Sequence, residues 1–152
     1  MTDVNKDSKV TLREITKDTV REFCNLKVAD EQNKFVAPNA ISIAQAYFEK
    51  AAWFRGIYAD DTPVGFLMLE KNTEKPEYFL WRMMVAKDFQ RMGFGYKAME
   101  LIIEYVKTLP NAVEFLTSCV PGEGSPEPFY NKLGFERTGE FEDDEAILKL
   151  KF

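Results

Sequence analysis

Histidine is absent from this chain of 152 residues, and cysteine occurs only twice. Without histidine the chain lacks the commonest general base and the commonest zinc ligand, which excludes a Ser-His-Asp or Cys-His site within it, and we expect no metal site. The two cysteines, Cys24 and Cys119, lie far apart without the spacing of a paired motif. We therefore expect two reduced thiols rather than a disulfide.

Basic charge and long apolar runs are also scarce. The 20 Lys and Arg residues are outnumbered by 25 Asp and Glu residues, which gives a formal net charge of -5. This balance disfavours a nucleic-acid partner and fits a cationic one better. No apolar run approaches the roughly 20 residues of a membrane span, and residues 1–10 lack the apolar core of a signal peptide. We therefore expect a cytoplasmic location and no membrane partner.

Apolar and aromatic residues are plentiful, at 45% and 14% of the chain, and they follow strand and helix periods. No repeat or linker divides the chain, so we expect one domain over residues 1–152, with residues 1–7 frayed. Early hairpin strands followed by a strand–helix–strand unit indicate an α+β sandwich. Its mixed, mostly antiparallel sheet has about seven strands and is flanked by about four helices.

The predicted elements are as follows. Strands are predicted at 10–15, 53–59, 64–70, 77–85, 113–120, 135–141 and 145–151. One helix is predicted to open at Thr16 and Asp18, with apolar positions up to Leu26. Three further helices are predicted at 42–50, 96–108 and 126–133. The helix at 42–50 is placed by the capping-box spacing that begins at Ser42.

Two glycines, Gly93 and Gly95, stand where the strand at 77–85 gives way to the helix at 96–108. The first turn of a helix has unpaired N–H groups and a positive dipole end, so a phosphate or pyrophosphate is stabilised there. No Walker sequence occurs, and the dinucleotide fingerprint GxGxxG is matched only weakly because Ala98 replaces its third glycine. The residues alone leave two interpretations: an anion-binding turn, or glycines that only loosen the chain.

Two segments resemble the GNAT N-acetyltransferase superfamily. The segment 90–95, QRMGFG, matches the Q/R-x-x-G-x-G/A pyrophosphate loop of that family. The segment 129–139, FYNKLGFERTG, resembles the FYxxxGFxxxG segment that closes the family's acetyl-CoA site. The resemblance covers nearly the whole chain. It implies the GNAT acyl-CoA N-acyltransferase fold, with a sheet splayed in the middle, and acetyl-CoA as the cosubstrate without a metal.

The resemblance also implies which residues hold and use acetyl-CoA. The strand that ends at Val85 pairs with the pantetheine arm, and a backbone N–H near Met84 polarises the thioester carbonyl. Tyr130 matches the tyrosine that protonates the departing thiolate, as a phenol of pKa about 10 can do. The alternative is that Tyr130 only packs beside Phe129. The predicted cofactor-binding residues are Met83, Met84, Val85, Gln90, Arg91, Met92, Gly93, Phe94, Gly95, Tyr96, Tyr130 and Lys132.

Within the family, the segments 35–39, 64–66 and 124–130 look like those of bacterial spermine/spermidine (diamine) acetyltransferases. That resemblance implies a small-molecule primary amine as acceptor, most directly a polyamine. Those enzymes often carry an acid in the central strand, and Trp81 replaces it here. We therefore assign the general base to Glu70, with a solvated strand-end charge as the alternative.

Other residues are candidates for the acceptor side. Glu31 and Glu123 are candidates for holding a cationic acceptor. Rings that are candidates to line a polyamine channel, with core packing as the alternative, are Trp53, Trp81, Phe35 and Tyr47. Two other functions stay open: acetylation of another amine (amino acid, peptide N-terminus or aminoglycoside), or a non-catalytic coenzyme A-binding module. The family's frequent dimers imply a possible homodimer.

Overall fold

The computed structural model describes residues 4–33 and 35–152. In that part of the chain, seven strands form one sheet in the order β1-β2-β3-β4-β5-β7-β6, flanked by four α-helices. The strands are β1 Val10–Arg13, β2 Ala52–Ala59, β3 Thr62–Asn72, β4 Glu77–Val85, β5 Glu114–Cys119, β6 Glu136–Glu142 and β7 Glu145–Lys151. The helices are α1 Val20–Asn25, α2 Asn39–Phe48, α3 Phe94–Lys107 and α4 Glu127–Lys132.

The sheet is mixed because one of its neighbouring pairs is parallel. β4 and β5 run in the same direction, and the other neighbouring strands are antiparallel. This arrangement follows from the connections, since α3 carries the chain from the end of β4 back to the start of β5. The predicted α+β sandwich with a mixed, mostly antiparallel sheet is confirmed.

The sheet separates two apolar layers. Leu67 and Leu69 of β3 are fully buried in the layer that contains α3, whereas Phe66 and Met68 are fully buried in the layer on the other face, where α2 packs. Successive side chains of a strand point to opposite faces, so a central strand needs an apolar residue at every position. Each such side chain contributes about 1.5–3 kcal/mol when it is buried.

Two helices begin earlier than the sequence predicted. α2 begins at Asn39, whose side-chain Nδ2 donates to the Phe23 carbonyl oxygen at 2.8 Å and so holds the helix start against α1. Ser42 lies inside α2, and its buried Oγ has no hydrogen-bond partner within the described residues. The capping-box prediction is therefore wrong. α3 begins at Phe94 because Gly93, with φ of 82°, is its N-cap.

Differences at other positions are small. Two short 3-10 helices, Asp30–Gln32 and Lys87–Phe89, were not predicted. Of the stretch that we expected to fray, residues 1–3 lie outside the described residues. Residues 4–7 are held in place, because Val4 packs against the core and Lys97 Nζ donates to the Lys6 carbonyl oxygen at 2.7 Å. Both cysteines are free thiols. No helix in the described ranges is long and apolar enough to cross a membrane.

Gly65 permits the close approach of β3 to β4, because a Cβ at this position would overlap the Met84 carbonyl oxygen. We expect Gly65→Ala to lower the free energy of unfolding by about 1–3 kcal/mol, since the added methyl group must displace a central strand. Glu136→Ala, at an exposed position of β6, is the control, with an expected change below about 0.5 kcal/mol. Urea unfolding measures both, and equal losses would contradict the prediction.

Candidate active site

The two parallel central strands separate after a short contact. Between β4 and β5 the paired residues are Phe79 with Leu116 and Leu80 with Thr117. β4 then bulges, because Leu69 of β3 faces Leu80 while Met68 faces Arg82, which leaves Trp81 as an extra residue. A bulge bends its strand and increases the local twist. Residues 82–85 therefore stay paired with β3 and turn their other backbone edge toward an open cleft.

The cleft between the separated strands has a volume of about 980 Å³. Its walls come from the connection between α1 and α2, the second half of β4, the turn before α3, the end of β5, α4 and the start of β7. One large cavity is thus bordered by the glycine turn, by the free edge of β4 and by several charged side chains.

The turn before α3 presents a row of unpaired backbone N–H groups. The first hydrogen bond of the helix joins Lys97 N to the Gly93 carbonyl oxygen at 3.1 Å. The N–H groups of residues 91–96 meet no hydrogen-bond acceptor within residues 4–33 and 35–152. Positive φ angles at Arg91 (67°) and Gly93 (82°) shape this turn. Such a nest at a helix N-terminus suits an anion, and the exposed Arg91 side chain adds positive charge.

Gln90 holds this turn to two other segments. Its Nε2 donates to the Val85 carbonyl oxygen at 2.8 Å and to Gln32 Oε1 at 2.8 Å. The first bond ties the turn to the end of β4, and the second ties it to the 3-10 helix between α1 and α2. Gln90 therefore acts on the shape of the cleft through these contacts.

Tyr130 lines the cleft and has only 6% of its surface exposed. Burial raises the pKa of the Tyr130 phenol well above its usual value, while a hydrogen bond with the Thr117 side chain acts in the opposite direction. Thr117 Oγ1 in turn donates to the Leu80 carbonyl oxygen at 3.1 Å. The Tyr130 ring also packs edge-on against Phe129, at 5.4 Å between ring centres. Tyr130 therefore packs against Phe129 and also keeps its hydroxyl protonated.

Nearly all of the predicted cofactor-binding residues line this one cleft. Those that do are Met83, Met84, Val85, Gln90, Arg91, Gly93, Phe94, Gly95, Tyr96, Tyr130 and Lys132. Met92 does not line it, because its side chain packs against the core on the α3 side of the sheet. Residues 83–96 are neighbours in sequence and reach the cleft through the strand–turn–helix geometry, whereas Tyr130 and Lys132 reach it from α4.

Glu70 lies outside the cleft. It stands on β3 opposite Phe79, where β4 and β5 are still joined. Partial desolvation of this exposed strand-end residue, followed by the charges of Glu49, Glu77 and Glu142, raises its pKa. The position of Glu70 therefore does not support the prediction that it is the general base, since the residue does not line the cleft.

The candidate channel residues divide into two groups. Phe35 and Trp81 line the cleft, and so does Glu31. Trp53 instead stacks on Tyr105 at 4.6 Å between ring centres, and Tyr47 is 85% exposed on α2. Glu123 also does not line the cleft. Only the first group is therefore placed to contact an acceptor.

Sequence reasoning missed three polar residues that line the cleft, namely Arg82, Ser118 and Glu145. Arg82 Nη2 donates to Gln45 Oε1 at 3.1 Å, while its buried Nε has no acceptor among the described residues. Burial lowers the pKa of Arg82, and the nearby charge of Glu145 raises it. Ser118 Oγ donates to Glu145 Oε1 at 3.2 Å. No local sequence signal marks this pair, because only the antiparallel pairing of β5 with β7 brings both residues to one face.

The arrangement combines an anion site, an open strand edge, a protonated phenol and carboxylates in one cleft. Within the described ranges, no three His, Cys, Asp or Glu side chains are grouped so that they could hold a metal ion. The chemistry that these groups can perform is the binding of a phosphate-bearing molecule, the polarisation of a group beside β4, and proton transfer.

Comparison with known proteins gives one family and a common fold. The chain matches the model of the acetyltransferase (GNAT) family over residues 13–135. A domain from Methanocaldococcus jannaschii DSM 2661 is 15% identical, with a TM-score of 0.77 over 96% of this chain and 100% of that one. Among curated proteins, none matches the sequence significantly.

Two similar structures contain coenzyme A. The PaiA N-acetyltransferase from Thermoplasma acidophilum, in complex with coenzyme A, is 15% identical, with a TM-score of 0.68 over 95% of this chain and 99% of that one. A Bacillus subtilis acetyltransferase in complex with CoA is 19% identical, with a TM-score of 0.66 over 96% and 99%. At these identities the matches show the fold.

The raised pKa of Tyr130 predicts a pH dependence of stability. The folded-state pKa lies above the unfolded value of about 10, so the unfolded chain releases this proton first as the pH rises. The contribution to stability is complete below pH 10 and is lost above it, by about 1.4 kcal/mol per pH unit. We expect Tyr130→Phe to remove this loss.

Chemical unfolding at several pH values between 9 and 11 measures the effect. Tyr47→Phe is the matched control, because it removes a hydroxyl of the same type from a side chain that is exposed on α2. If the free energy of unfolding falls equally steeply with pH for Tyr130→Phe and Tyr47→Phe above pH 10, the Tyr130 hydroxyl ionises as easily in the folded protein as in the unfolded chain.

Proposed function

Because the chain belongs to the acetyltransferase (GNAT) family, we propose that it is an acetyl-CoA-dependent N-acetyltransferase that acetylates a primary amine, with a polyamine such as spermidine or spermine as the first acceptor. The observation that carries this proposal is the separation of β4 from β5. It opens a strand edge between a nest of free N–H groups and a buried, protonated tyrosine. A long, anionic thioester molecule fits such a cleft.

The residues of the cleft fit the parts of acetyl-CoA. The N–H groups of residues 91–96 and the Arg91 side chain suit the pyrophosphate, and the free edge of residues 83–85 suits the amide-containing arm. A Cβ on Gly95 would make only ordinary van der Waals contacts, at 3.5 Å from Phe129 and Val85, so alanine would also fit at this position of the turn. Bound there, acetyl-CoA supplies an activated acetyl group as a thioester.

The chain itself supplies polarisation and a proton. A backbone N–H near Met84, on the open edge of β4, is suited to donate to the thioester carbonyl oxygen as negative charge develops on it. Tyr130 holds a proton at neutral pH and lines the cleft, so it is suited to protonate the departing sulfur. Both roles are those that the family resemblance predicted.

Charge and aromatic surface support a polyamine acceptor. Glu31, Asp144 and Glu145 line the cleft, and carboxylates pair with the spaced ammonium groups of a polyamine. The rings of Phe35 and Trp81 line it too, and they suit both methylene groups and cations. The chain contains no histidine that could bind or deprotonate the amine in place of these carboxylates.

Arg82 supports a second acceptor class. Its guanidinium lines the cleft, and its buried Nε has no acceptor among the described residues. A carboxylate on the acceptor would meet this group, as in an amino acid or a peptide. The remaining alternative is a coenzyme A-binding module without chemistry. The homodimer and the cytoplasmic location stay predictions.

Three amines of equal chain length separate the acceptor classes. We expect putrescine to have a kcat/KM about tenfold or more above that of butylamine, because its second ammonium meets the carboxylates of the cleft. γ-Aminobutyrate, which carries a carboxylate instead, should be the poorest of the three. A thiol-release assay with acetyl-CoA measures all three, followed by spermidine and spermine.

The outcomes of this assay differ for each hypothesis. A preference for γ-aminobutyrate or peptides would replace the polyamine by the second acceptor class. Binding of acetyl-CoA in calorimetry without turnover of any amine, including an aminoglycoside, would leave the non-catalytic module.

Tyr130→Phe tests the proton donor. We expect kcat to fall by about 10²–10⁴-fold, because the departing thiolate loses its proton source. The affinity for acetyl-CoA should stay within about threefold, since the ring and its packing remain. Steady-state kinetics and calorimetry measure the two quantities, with Tyr47→Phe as the matched control. Unchanged kcat in Tyr130→Phe would remove this role.

A further inference from the structure

We propose that Glu145 is the catalytic base that accepts the proton which the acceptor ammonium must lose before it attacks, and that Ser118 positions it. This inference rests on the proposed acetyl transfer to an amine. It replaces Glu70 with a carboxylate that borders the cleft, at the first residue of β7. The need for a base is general, because aliphatic amines are mostly protonated at neutral pH.

The register of the sheet turns Glu145 toward the acceptor side. Ala146 pairs with Cys119 of β5, and Leu148 pairs with Thr117. Ala146, Leu148 and Thr117 are buried, Leu148 in the layer that contains α3, so the alternating residues Glu145 and Ser118 face the opposite side. That side is where the acceptor-lining rings of Phe35 and Trp81 border the cleft. Tyr130 packs in the α3 layer, so base and acid approach the thioester position from opposite faces of the sheet.

Hydrogen bonding fixes the orientation of the Glu145 carboxylate and leaves part of it free. Ser118 Oγ donates to Oε1 at 3.2 Å. Oε2 has no donor from the described residues, so it is available to an ammonium or to a bridging water. The residue is half-buried, whereas the other cleft carboxylates, Glu31 and Asp144, are exposed. Glu145 is therefore the cleft carboxylate whose position is held most firmly.

The titratable groups around Glu145 come from three strands and from the turn before β7. Arg82 of β4 faces it across the cleft, close enough that the charge of Glu145 raises the pKa of Arg82, although no direct ion pair joins the two in the described chain. The Cys119 thiol of β5 also senses its charge. Glu142 of β6 pairs with it, and Asp144 precedes it on the chain. Glu145 thus faces a positive charge from Arg82 and lies beside the negative charges of Glu142 and Asp144.

The step balances in protons and electrons. An ammonium group R–NH3+ gives one proton to Glu145, directly or through one water, and becomes a neutral amine. The nitrogen lone pair then forms the C–N bond to the acetyl carbon. The C–S bond breaks, its electron pair leaves with sulfur, and Tyr130 protonates that sulfur. A second proton from the nitrogen restores Tyr130 through solvent, and Glu145 releases its proton to water.

Glu145→Gln tests the inference, because the amide keeps an oxygen for Ser118 and removes the base. With putrescine at pH 7, we expect kcat/KM to fall about 10²-fold or more, while the KM for acetyl-CoA stays unchanged. The deficit should shrink as the pH rises toward the pKa of the amine, because free amine then needs no base. Ser118→Ala should lower kcat/KM about 3–10-fold and shift the acidic limb of its pH profile.

Glu142→Gln is the matched control, since it removes the same charge from the residue paired with Glu145 on the neighbouring strand. Its kcat/KM should stay within about twofold of the wild type across the pH range. If Glu145→Gln matches this control at every pH, the base assignment is overturned and the proposed function remains. If the wild-type protein acetylates no amine, the proposed function and this inference both fail.

Discussion

The hydrogen bond from Thr117 Oγ1 to the Leu80 carbonyl oxygen joins β4 and β5 at the last point where the two strands are paired. Beyond this point the bulge at Trp81 turns β4 away from β5, so the hydrogen bonds that would continue between the two strands are not formed. Strand edges without partners are costly inside a protein unless water or a ligand satisfies them. The cleft, the exposed edge of β4 and the contact of Tyr130 with Thr117 all depend on this one junction.

Proton transfer in a chain without histidine has to be divided between side chains that ordinarily titrate far from neutral pH. The structure provides two such side chains in opposite environments. Tyr130 is buried among aromatic rings, which keeps its hydroxyl protonated. Glu145 is half-buried beside a serine and across from an arginine. A free phenol already titrates at a much higher pH than a free carboxyl, and burial raises the pKa of the Tyr130 phenol further, which fits the proposed division into an acid and a base.

The proposed cofactor side of the site could be predicted because most of it is contiguous in sequence. Residues 90–96 comprise the turn before α3 and its first residues, and local signals placed this strand-to-helix junction to within two residues. The bounds of β4 and β7 were predicted to the residue, since apolar patterns and turn residues delimit them. The start of α2 was missed because a tertiary contact, from Asn39 to the Phe23 carbonyl oxygen, extends the helix backward.

The acceptor side could not be predicted in the same way, because it is assembled from segments far apart in sequence. Ser118 and Glu145 meet only through the register of β5 with β7. The bulge at Trp81 interrupts the regular alternation of β4 side chains between the two faces of the sheet. The face on which Arg82 lies therefore cannot be found by counting residues along the strand. Glu70 was assigned by its place at a strand end. It pairs with Phe79, at the level where β4 and β5 are still hydrogen-bonded to each other.

The bond between Gln90 and Gln32 connects the turn that carries the free N–H groups to the segment that precedes Phe35. One amide group thus links the wall of the cleft on the donor side with the wall on the acceptor side. Any shift that a first substrate causes in one wall is felt by the other, and linkage makes this influence equal in both directions. For the proposed pair of substrates we therefore expect interdependent affinities, so that the binding constant of each one is to be measured at a stated concentration of the other.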